Sequence, residues 1–321
     1  MEDKSGKSKL DLEAIAKECN LFDNTKLEDV VSKIKALDDK YERDDLVTIY
    51  NYFLSVCKSP NILSELIRFE DRFRDKSSLP VLVDLLLLQQ GEDTPDRDEY
   101  TNVRVMCAKA IANLKDTSAV NSLLYCLNNK NENYKVRFAC ADALGKIGDK
   151  YAVAPLIDVV KDENERSVYL RESAASALGM LGDLRAIDPL VSILETKQGI
   201  LDKFTFLKER VIEALSKLRL NDNQRVFNAL KQSLMDESPQ VRINAIEAIM
   251  ESENPDSYEV IKPCLKDENS EVQKNALIAL YNISDRDILD EVINSPEYSD
   301  HLKMEAVTII EEYETEAGKN E

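Results

Sequence analysis

The fold is decided by two similar stretches, VRFACADALGKIGDKYAVAPLIDVV (Val136 to Val160) and LRESAASALGMLGDLRAIDPLVSIL (Leu170 to Leu194), which follow each other at an interval of 34 residues. Apolar residues of the first stretch recur at three- and four-residue intervals: Val136, Ala139, Cys140, Ala143, Leu144 and Ile147. This spacing places them in one stripe on a helix with 3.6 residues per turn. The stretch therefore predicts an amphipathic helix followed by a second, shorter apolar helix.

A basic or polar residue marks the same position in each copy of this pattern. The column consists of Arg104, Arg137, Arg171, Lys208, Arg242, Gln273 and Lys303, with intervals of 33, 34, 37, 34, 31 and 30 residues. Such an interval is the length of one helix–turn–helix unit. We therefore expect about seven repeats between residues 103 and 310.

Apolar residues stay in register with the basic column. One apolar column contains Cys107, Cys140, Ala174, Val211, Ala245, Ala276 and Ala306, and the next contains Ala110, Ala143, Ala177, Ala214, Ala248, Ala279 and Ile309. Small side chains in register predict close packing between successive helices. Gly148 and Gly182 are expected to end first helices, and Pro155 and Pro189 to lie in the first turns of second helices.

The repeat resembles the HEAT repeats of the subtype first described in phycobilin lyases. The resemblance is carried by the two stretches quoted above and extends over about Ser77 to Tyr313. It implies an all-α fold, a right-handed α-α superhelix, and leaves function open, because proteins with this repeat include lyases, scaffolds and chaperones. Only 8 Gly, no Trp and 6% aromatic residues agree with a helix-rich chain.

The sequence predicts three regions along the chain. Residues 1–76 form an irregular N-terminal helical cap in which the repeat frame is lost, residues 77–313 form the solenoid, and residues 314–321 are a polar tail. A separate partner-binding module is the alternative for the first region. Of two insertions in the array, the one from Glu195 to Phe206 contains Phe204 and Phe206, which could contact a partner.

Charge and cysteine usage restrict the environment and the partners. A formal net charge of −19 without a basic stripe argues against nucleic acid and against an acidic membrane surface. The six cysteines lie in apolar helical patterns without CxxC spacing, which indicates reduced thiols and a cytoplasmic location. Neither a signal sequence nor an apolar stretch of membrane-spanning length is expected.

The residues for common catalytic and metal chemistry are missing from the sequence. The single histidine, His301, cannot form a histidine-based metal site or a Ser-His-Asp arrangement with a suitable partner. The His-Glu pairs of deoxyhypusine hydroxylase, a HEAT-type di-iron enzyme, are also missing. We therefore predict no catalytic, cofactor-binding or metal-binding residue, although a role as a bilin lyase subunit would make the protein an enzyme.

The basic column has two interpretations. In the structural one, an arginine near the start of each first helix bonds an acid or a carbonyl of the preceding repeat. This inter-repeat ladder would comprise Arg104, Arg137, Arg171 and Arg242 together with Asp116, Asp149 and Asp183. In the functional interpretation, the column is a row of cations for an acidic ligand, which fits poorly with the net charge.

The second helices of a HEAT stack usually line its concave face, so their exposed positions are the default binding surface. The candidates are Asn121, Tyr125, Asn128, Asp158, Ser192, Glu195, Lys231 and Lys262. Their mixed character favours a protein partner. The sequence therefore predicts a non-enzymatic protein-binding scaffold or adaptor, and the alternative is a bilin lyase subunit or phycobiliprotein chaperone.

Overall fold

The computed structural model describes most of the chain as helices. The described residues are 10–22, 26–88, 97–165, 167–195, 205–218, 223–284 and 286–317. Within these ranges, regular secondary structure is α-helix or short 3-10 helix, with no strand. The chain divides into two compact units, Met1–Ala152 and Val153–Glu321.

The first unit contains eight α-helices among its described residues. They are α1 (Leu12–Glu18), α2 (Leu27–Lys35), α3 (Arg43–Val56), α4 (Pro60–Asp71), α5 (Leu79–Leu86), α6 (Arg97–Leu114), α7 (Val120–Asn128) and α8 (Tyr134–Ile147). First helices pack side by side, α4 on α6 and α6 on α8, while α5 and α7 pack against α6 and α8. The helices expected before the repeat frame are confirmed as α1 to α4.

A cluster of polar and aromatic groups joins the turn after α2 to α3 and α4. Arg72 donates to both carboxylate oxygens of Asp38 at 3.0 and 3.2 Å, and the Tyr50 hydroxyl donates to the same carboxylate at 3.0 Å. The Arg72 guanidinium also lies 5.2 Å from the centre of the Phe69 ring. The Arg72 hydrogen bonds, with help from the Tyr50 hydroxyl, lower the pKa of Asp38 against the effect of burial. These contacts hold the N-terminal helices together without the repeat frame.

The second unit contains ten α-helices among its described residues. They are α9 (Val153–Lys161), α10 (Val168–Leu181), α11 (Ile187–Glu195), α12 (Thr205–Lys217), α13 (Gln224–Ser233), α14 (Pro239–Glu251), α15 (Ser257–Ile261), α16 (Ser270–Ser284), α17 (Asp287–Asn294) and α18 (Asp300–Ala317). First helices pack in the order α10, α12, α14, α16 and α18. The second helices α9, α11 and α13 pack in sequence beside them.

Glycine and proline lie largely at the helix ends and first helical turns that the sequence predicts for them. Gly148 and Gly182 end α8 and α10 with φ values of 84° and 62°, and each N–H donates to a carbonyl four residues earlier. Helix α15 begins at Ser257, and Pro263 lies in the first turn of the 3-10 segment Lys262–Lys266 that follows it, because the proline ring removes a donor from the α-helical ladder.

The predicted apolar columns lie in the core, except that Ile309 at the end of the second column is half-buried. Cys107, Cys140, Ala174, Val211, Ala245, Ala276 and Ala306 have no exposed surface. The closest approach described for a glycine is at Gly179 on α10, where an added Cβ would lie 2.8 Å from the Ala214 Cα of α12. Such a distance is shorter than carbon atoms tolerate, so α10 and α12 are packed through a position without a side chain.

We expect Gly179→Ala to destabilise the second unit by about 1–3 kcal/mol, since overpacking outweighs the better helix propensity of alanine. Met180→Ala is the matched control, because this neighbouring side chain is exposed and its truncation should change stability by less than about 0.5 kcal/mol. Urea unfolding followed by circular dichroism measures both variants. Equal stability of Gly179→Ala and the wild type would show that α10 and α12 can separate at no cost.

Glu70 on α4 is a fully buried carboxyl group in the first unit. Neither its oxygens nor the Ser78 hydroxyl beside it make a hydrogen bond of normal geometry within the described residues. Burial is the main cause that raises the pKa of Glu70 above its ordinary value of 4.5, and Asp71 and Asp75 add to it while Ser78 opposes it. Folding therefore makes it harder for this carboxyl group to lose its proton than it is in the unfolded chain.

This raised pKa predicts that the first unit loses stability as the pH rises. The folded state keeps the Glu70 proton where the unfolded state releases it, so the contribution is full below pH 4.5 and declines between that value and the folded pKa. Glu70→Gln should raise the free energy of unfolding by about 1–3 kcal/mol at neutral pH and much less in acid. Urea titrations at about pH 5 and about pH 8 test this; a Gln variant with no gain at the higher pH refutes it.

Candidate interaction surface

The second helix α7 exposes the three residues predicted for it. Asn121, Tyr125 and Asn128 are exposed and lie three and four positions apart on one side of the helix. The opposite side is buried and consists of Val120, Leu123, Leu124, Cys126 and Leu127. The helix is therefore anchored by its apolar side and presents an aromatic ring between two carboxamides.

A second exposed tyrosine belongs to an element that packs against α7. Tyr151 is 69% exposed and lies in the 3-10 segment Lys150–Ala152, which contacts α7, while Tyr125 is 57% exposed. Tyr151 is not among the residues predicted from the sequence. It could have been recognised from its position between the Asp149 turn and the apolar run of the next helix, where an exposed aromatic residue has no packing role.

The predicted residues of the second unit fall into two groups. Asp158 on α9 and Lys231 on α13 are exposed. Ser192 is half-buried, and its hydroxyl donates to the Pro189 carbonyl at 2.7 Å. Glu195 and Lys262 form ion pairs with residues of the next second helix, so their charges are already paired within the chain.

Ion pairs connect neighbouring second helices in this unit. Arg225 on α13 lies 2.6 Å from Asp188 and 3.5 Å from Glu195, both on α11. Lys262 lies 2.9 Å from Glu291 on α17, and this hydrogen bond is the main cause that raises the lysine pKa. Because these side chains remain largely in contact with solvent, each pair contributes little stability. Their effect is to hold the side chains in place across the surface.

A further ion pair joins Lys266 to Glu297 at 2.7 Å. It lies beside the Tyr298 ring, whose centre is 5.8 Å from the Lys266 ammonium group. Sequence reasoning missed Arg225, Asp188, Glu291 and Glu297. In the sequence, these ion pairs are marked only by opposite charges about one repeat apart, a pattern that is not visible within a single helix.

The insertion before α12 is described only in part. Phe204 lies outside the described residues, whereas Phe206 is exposed in the first turn of α12. Tyr169 occupies the equivalent position on α10, two residues before the basic column, and is also exposed. The first-helix side of this unit therefore has its own exposed aromatic residues.

Arginines of the basic column bond the ends of preceding second helices. The Nε of Arg104, Arg137 and Arg171 donates to the carbonyls of Leu86, Leu127 and Val160 at 2.7, 2.8 and 2.9 Å respectively. These carbonyls lie at the ends of α5 and α7 and near the end of α9, where no further helical turn supplies a donor. Burial lowers the pKa of Arg171.

Acids also meet the basic column, but they come from the turn after the second helix of the same repeat. Glu132 accepts from Arg104 at 2.9 and 2.5 Å, Asp267 accepts from Arg242 at 2.8 Å, and Asp236 accepts from Lys208. Arg242 also donates to the Asp236 carbonyl at 2.7 Å. Arg104 and Arg242 thus join their own first helices to backbone carbonyls on the preceding side and to an acid of the following turn.

The aspartates proposed for the ladder occupy another place. Asp116 accepts from the Ser118 N–H at 3.0 Å, Asp149 from the Tyr151 N–H at 2.9 Å, and Asp183 from the Arg185 N–H at 3.0 Å. Each aspartate thereby caps the 3-10 turn that begins a second helix. The Ser118 hydroxyl and N–H, followed by Lys76, lower the pKa of Asp116 to about 2. The regular spacing of these aspartates reflects this turn.

The described residues hold no group of three or more His, Cys, Asp or Glu side chains placed to bind a metal ion. His301 is exposed in the first turn of α18. Among the helices described, none is long and apolar enough to cross a membrane.

The HEAT-repeat family profile matches residues 95–169, 132–203 and 227–307, which together cover more than half of the chain. The chain belongs to the HEAT-repeat family. Comparison with curated proteins gives no match.

One solved structure supports the same fold, and two others are similar at TM-scores under 0.5. The structure of Kap95p with RanGDP matches 93% of this chain and 47% of its own, with 12% identity and a TM-score of 0.59. The phycocyanin lyase complex of CpcE and CpcF from Nostoc sp. matches 73% of this chain and 87% of its own, with 22% identity and a TM-score of 0.43. The structure of human deoxyhypusine hydroxylase matches 84% of this chain and 95% of its own chain, with 17% identity and a TM-score of 0.34. At 12% identity the likeness to Kap95p concerns the fold alone.

We expect Arg242→Met to destabilise the second unit by roughly 2–4 kcal/mol, because it leaves the Asp267 carboxylate, whose side chain is only 12% exposed, without its cation. Asp267→Asn in the same chain should restore part of the loss. Arg185→Met is the control, since the Arg185 side chain is 61% exposed in its pair with Asp183 and should contribute less than about 0.5 kcal/mol. Thermal unfolding compares the three variants; similar losses for Arg242→Met and Arg185→Met would contradict the structural role of the column.

Proposed function

We propose that this protein is a non-enzymatic scaffold that binds another protein through the exposed side of its second helices. The observation that carries the proposal is the exposure of Tyr125 between Asn121 and Asn128 on a helix whose other side is buried. A tyrosine in this setting gives a partner a large contact area and a hydroxyl group with little loss of conformational freedom.

The surroundings of Tyr125 support a protein partner. Tyr151 adds a second exposed ring from an element in contact with α7, and aromatic residues are enriched at protein interfaces. The net charge of −19 disfavours nucleic acid as the ligand. Six buried, unpaired cysteines support a reducing compartment such as the cytoplasm.

In the second unit, the ion pairs of the second helices favour a pre-organised surface. Glu195 and Lys262 are held by Arg225 and Glu291, so they would contribute to a complex by shape and fixed charge. Asp158 and Lys231 keep exposed charges for contact with a partner. We therefore expect binding energy to concentrate on aromatic residues and to depend weakly on any one of these charges.

Site-specific photocrosslinking tests the proposal. Benzoylphenylalanine at position 125 should capture one protein from the source lysate, whereas the same probe at position 102, exposed on the first helix α6, should not capture it. Tyr125→Ala should reduce recovery of that protein in affinity purification by about tenfold or more. Capture from both positions alike, or unchanged recovery with Tyr125→Ala, would rule out the proposed surface.

The bilin-lyase alternative stays a prediction from the repeat resemblance. Mixing the protein with phycocyanobilin, with and without a phycobiliprotein acceptor, and recording the visible spectrum tests it directly. An unchanged spectrum in both mixtures eliminates the alternative and leaves the scaffold proposal intact.

A further inference from the structure

A groove lies between the first helices α12 and α14 of the second unit. Its volume is about 520 Å³, and residues of both helices line it. Ile212 and Ala248 are the buried part of this lining, whereas Glu247 and Glu251 are exposed. The groove therefore presents a small apolar surface beside exposed charges. The scaffold function proposed above uses none of these residues.

The groove lies where the close packing of the first helices is relaxed. Eight residues after the basic column, α10 has Gly179 and α12 has Ser216. At Gly179 the next first helix leaves no room for a Cβ, since one would lie 2.8 Å from the Ala214 Cα. Serine carries a Cβ, so α14 cannot approach α12 at this position as closely as α12 approaches α10. Ser216 is accordingly part of the groove lining.

The charges of the groove are not balanced within it. Its lining contains three carboxylates and one ammonium group. The ammonium group belongs to Lys217, which lies 2.7 Å from Glu213 on the same helix, and Arg210 lies 2.7 Å from the other oxygen of Glu213. Within the part of the chain that the structure describes, no ion pair or hydrogen bond engages the carboxylates of Glu247 and Glu251. These two charges remain available to a cation from outside the chain.

The two available carboxylates are also neighbours. Glu247 and Glu251 are four residues apart on α14, and like charges at this spacing destabilise a helix. Another pair of first helices is bridged by an ion pair, since Lys274 on α16 lies 2.9 Å from Glu305 on α18. A bound cation would relieve the repulsion on α14 in the same way. The pair thus lowers the stability of the free chain and favours a complex with a basic ligand.

We propose that the groove between α12 and α14 binds a segment of another protein in which two basic side chains lie about one helical turn apart. The two basic groups pair with Glu247 and Glu251, whose spacing along α14 they match. Their apolar stems cover Ile212 and Ala248. The inference does not rest on the proposed scaffold function, because it concerns other helices and a separate binding measurement.

Asn244, which also lines the groove, favours a protein segment over a small polyamine. Its carboxamide oxygen accepts from the Gln240 side chain at 2.8 Å, so the NH₂ group is the part that can serve a ligand. An NH₂ group donates to the carbonyl groups of a peptide backbone. A polyamine has no acceptor to offer once its nitrogens are protonated.

Fluorescence anisotropy tests the proposal with the full-length protein and a labelled alanine-rich peptide that carries two arginines four residues apart. At low ionic strength the wild type should bind this peptide. Glu247→Gln and Glu251→Gln in one chain should raise the Kd by about fivefold or more. The same peptide with glutamine at both arginine positions should not bind.

The matched control carries Glu237→Gln and Glu259→Gln. These exposed carboxylates belong to the second unit but lie outside the groove, and their removal changes the net charge equally. The control should keep the Kd within about twofold of the wild type. Similar losses in the two double variants would show attraction by net charge alone and overturn the proposal, as would a wild type that does not bind the peptide.

Two further measurements separate the proposal from its alternatives. The Tm of the groove variant should equal or exceed that of the wild type, because a repulsive pair is removed; lost binding together with a lower Tm would trace the loss to the fold and overturn the proposal. Spermidine should displace the labelled peptide only at higher concentration than unlabelled peptide does. Displacement at equal or lower concentration would identify the groove as a polyamine site and overturn the assignment to a protein segment.

Discussion

Within each of the two units, successive first helices pack against each other through a column of small or medium-sized side chains, and the rest of the unit depends on this close packing. The column from Cys107 to Ala306 has no exposed surface, and at Gly179 the space left by α12 excludes even a methyl group. Since neither helix of a repeat can bury its apolar side alone, each repeat is stable only against its neighbours. The same constraint turns the polar sides outward at regular intervals.

Close packing also brings the ends of second helices against the starts of the next first helices, where carbonyl groups would be buried without donors. The buried arginines provide those donors. Because a buried or half-buried cation needs a counter-charge, the turns after the second helices supply Glu132, Asp236 and Asp267. In the first unit this arrangement places the Arg104 guanidinium 3.9 Å from the Cys126 Sγ.

The exposed side of the second helices combines fixed charge with a few exposed aromatic residues. In the second unit, Arg225 and Lys262 connect neighbouring second helices, so part of the charged surface is already paired within the chain. In the first unit, Tyr125 and Tyr151 remain exposed to solvent. A partner that uses these rings would gain apolar contact area without having to break ion pairs. The structure thus separates candidate contact residues that are paired within the chain from aromatic candidates that are exposed. The sequence pattern does not distinguish these two groups.

The sequence by itself determined the all-α class, the repeat register and the buried columns, because helical periodicity depends on residues three and four positions apart. It also placed the helix ends at Gly148 and Gly182. Only the tertiary structure decided which acids meet the arginines, why Asp116 and Asp149 recur, and that Glu195 and Lys262 are paired. The lack of a hydrogen-bond partner of normal geometry for the buried Glu70 carboxyl was likewise decided there, since it depends on which side chains of different helices meet once the repeats have packed.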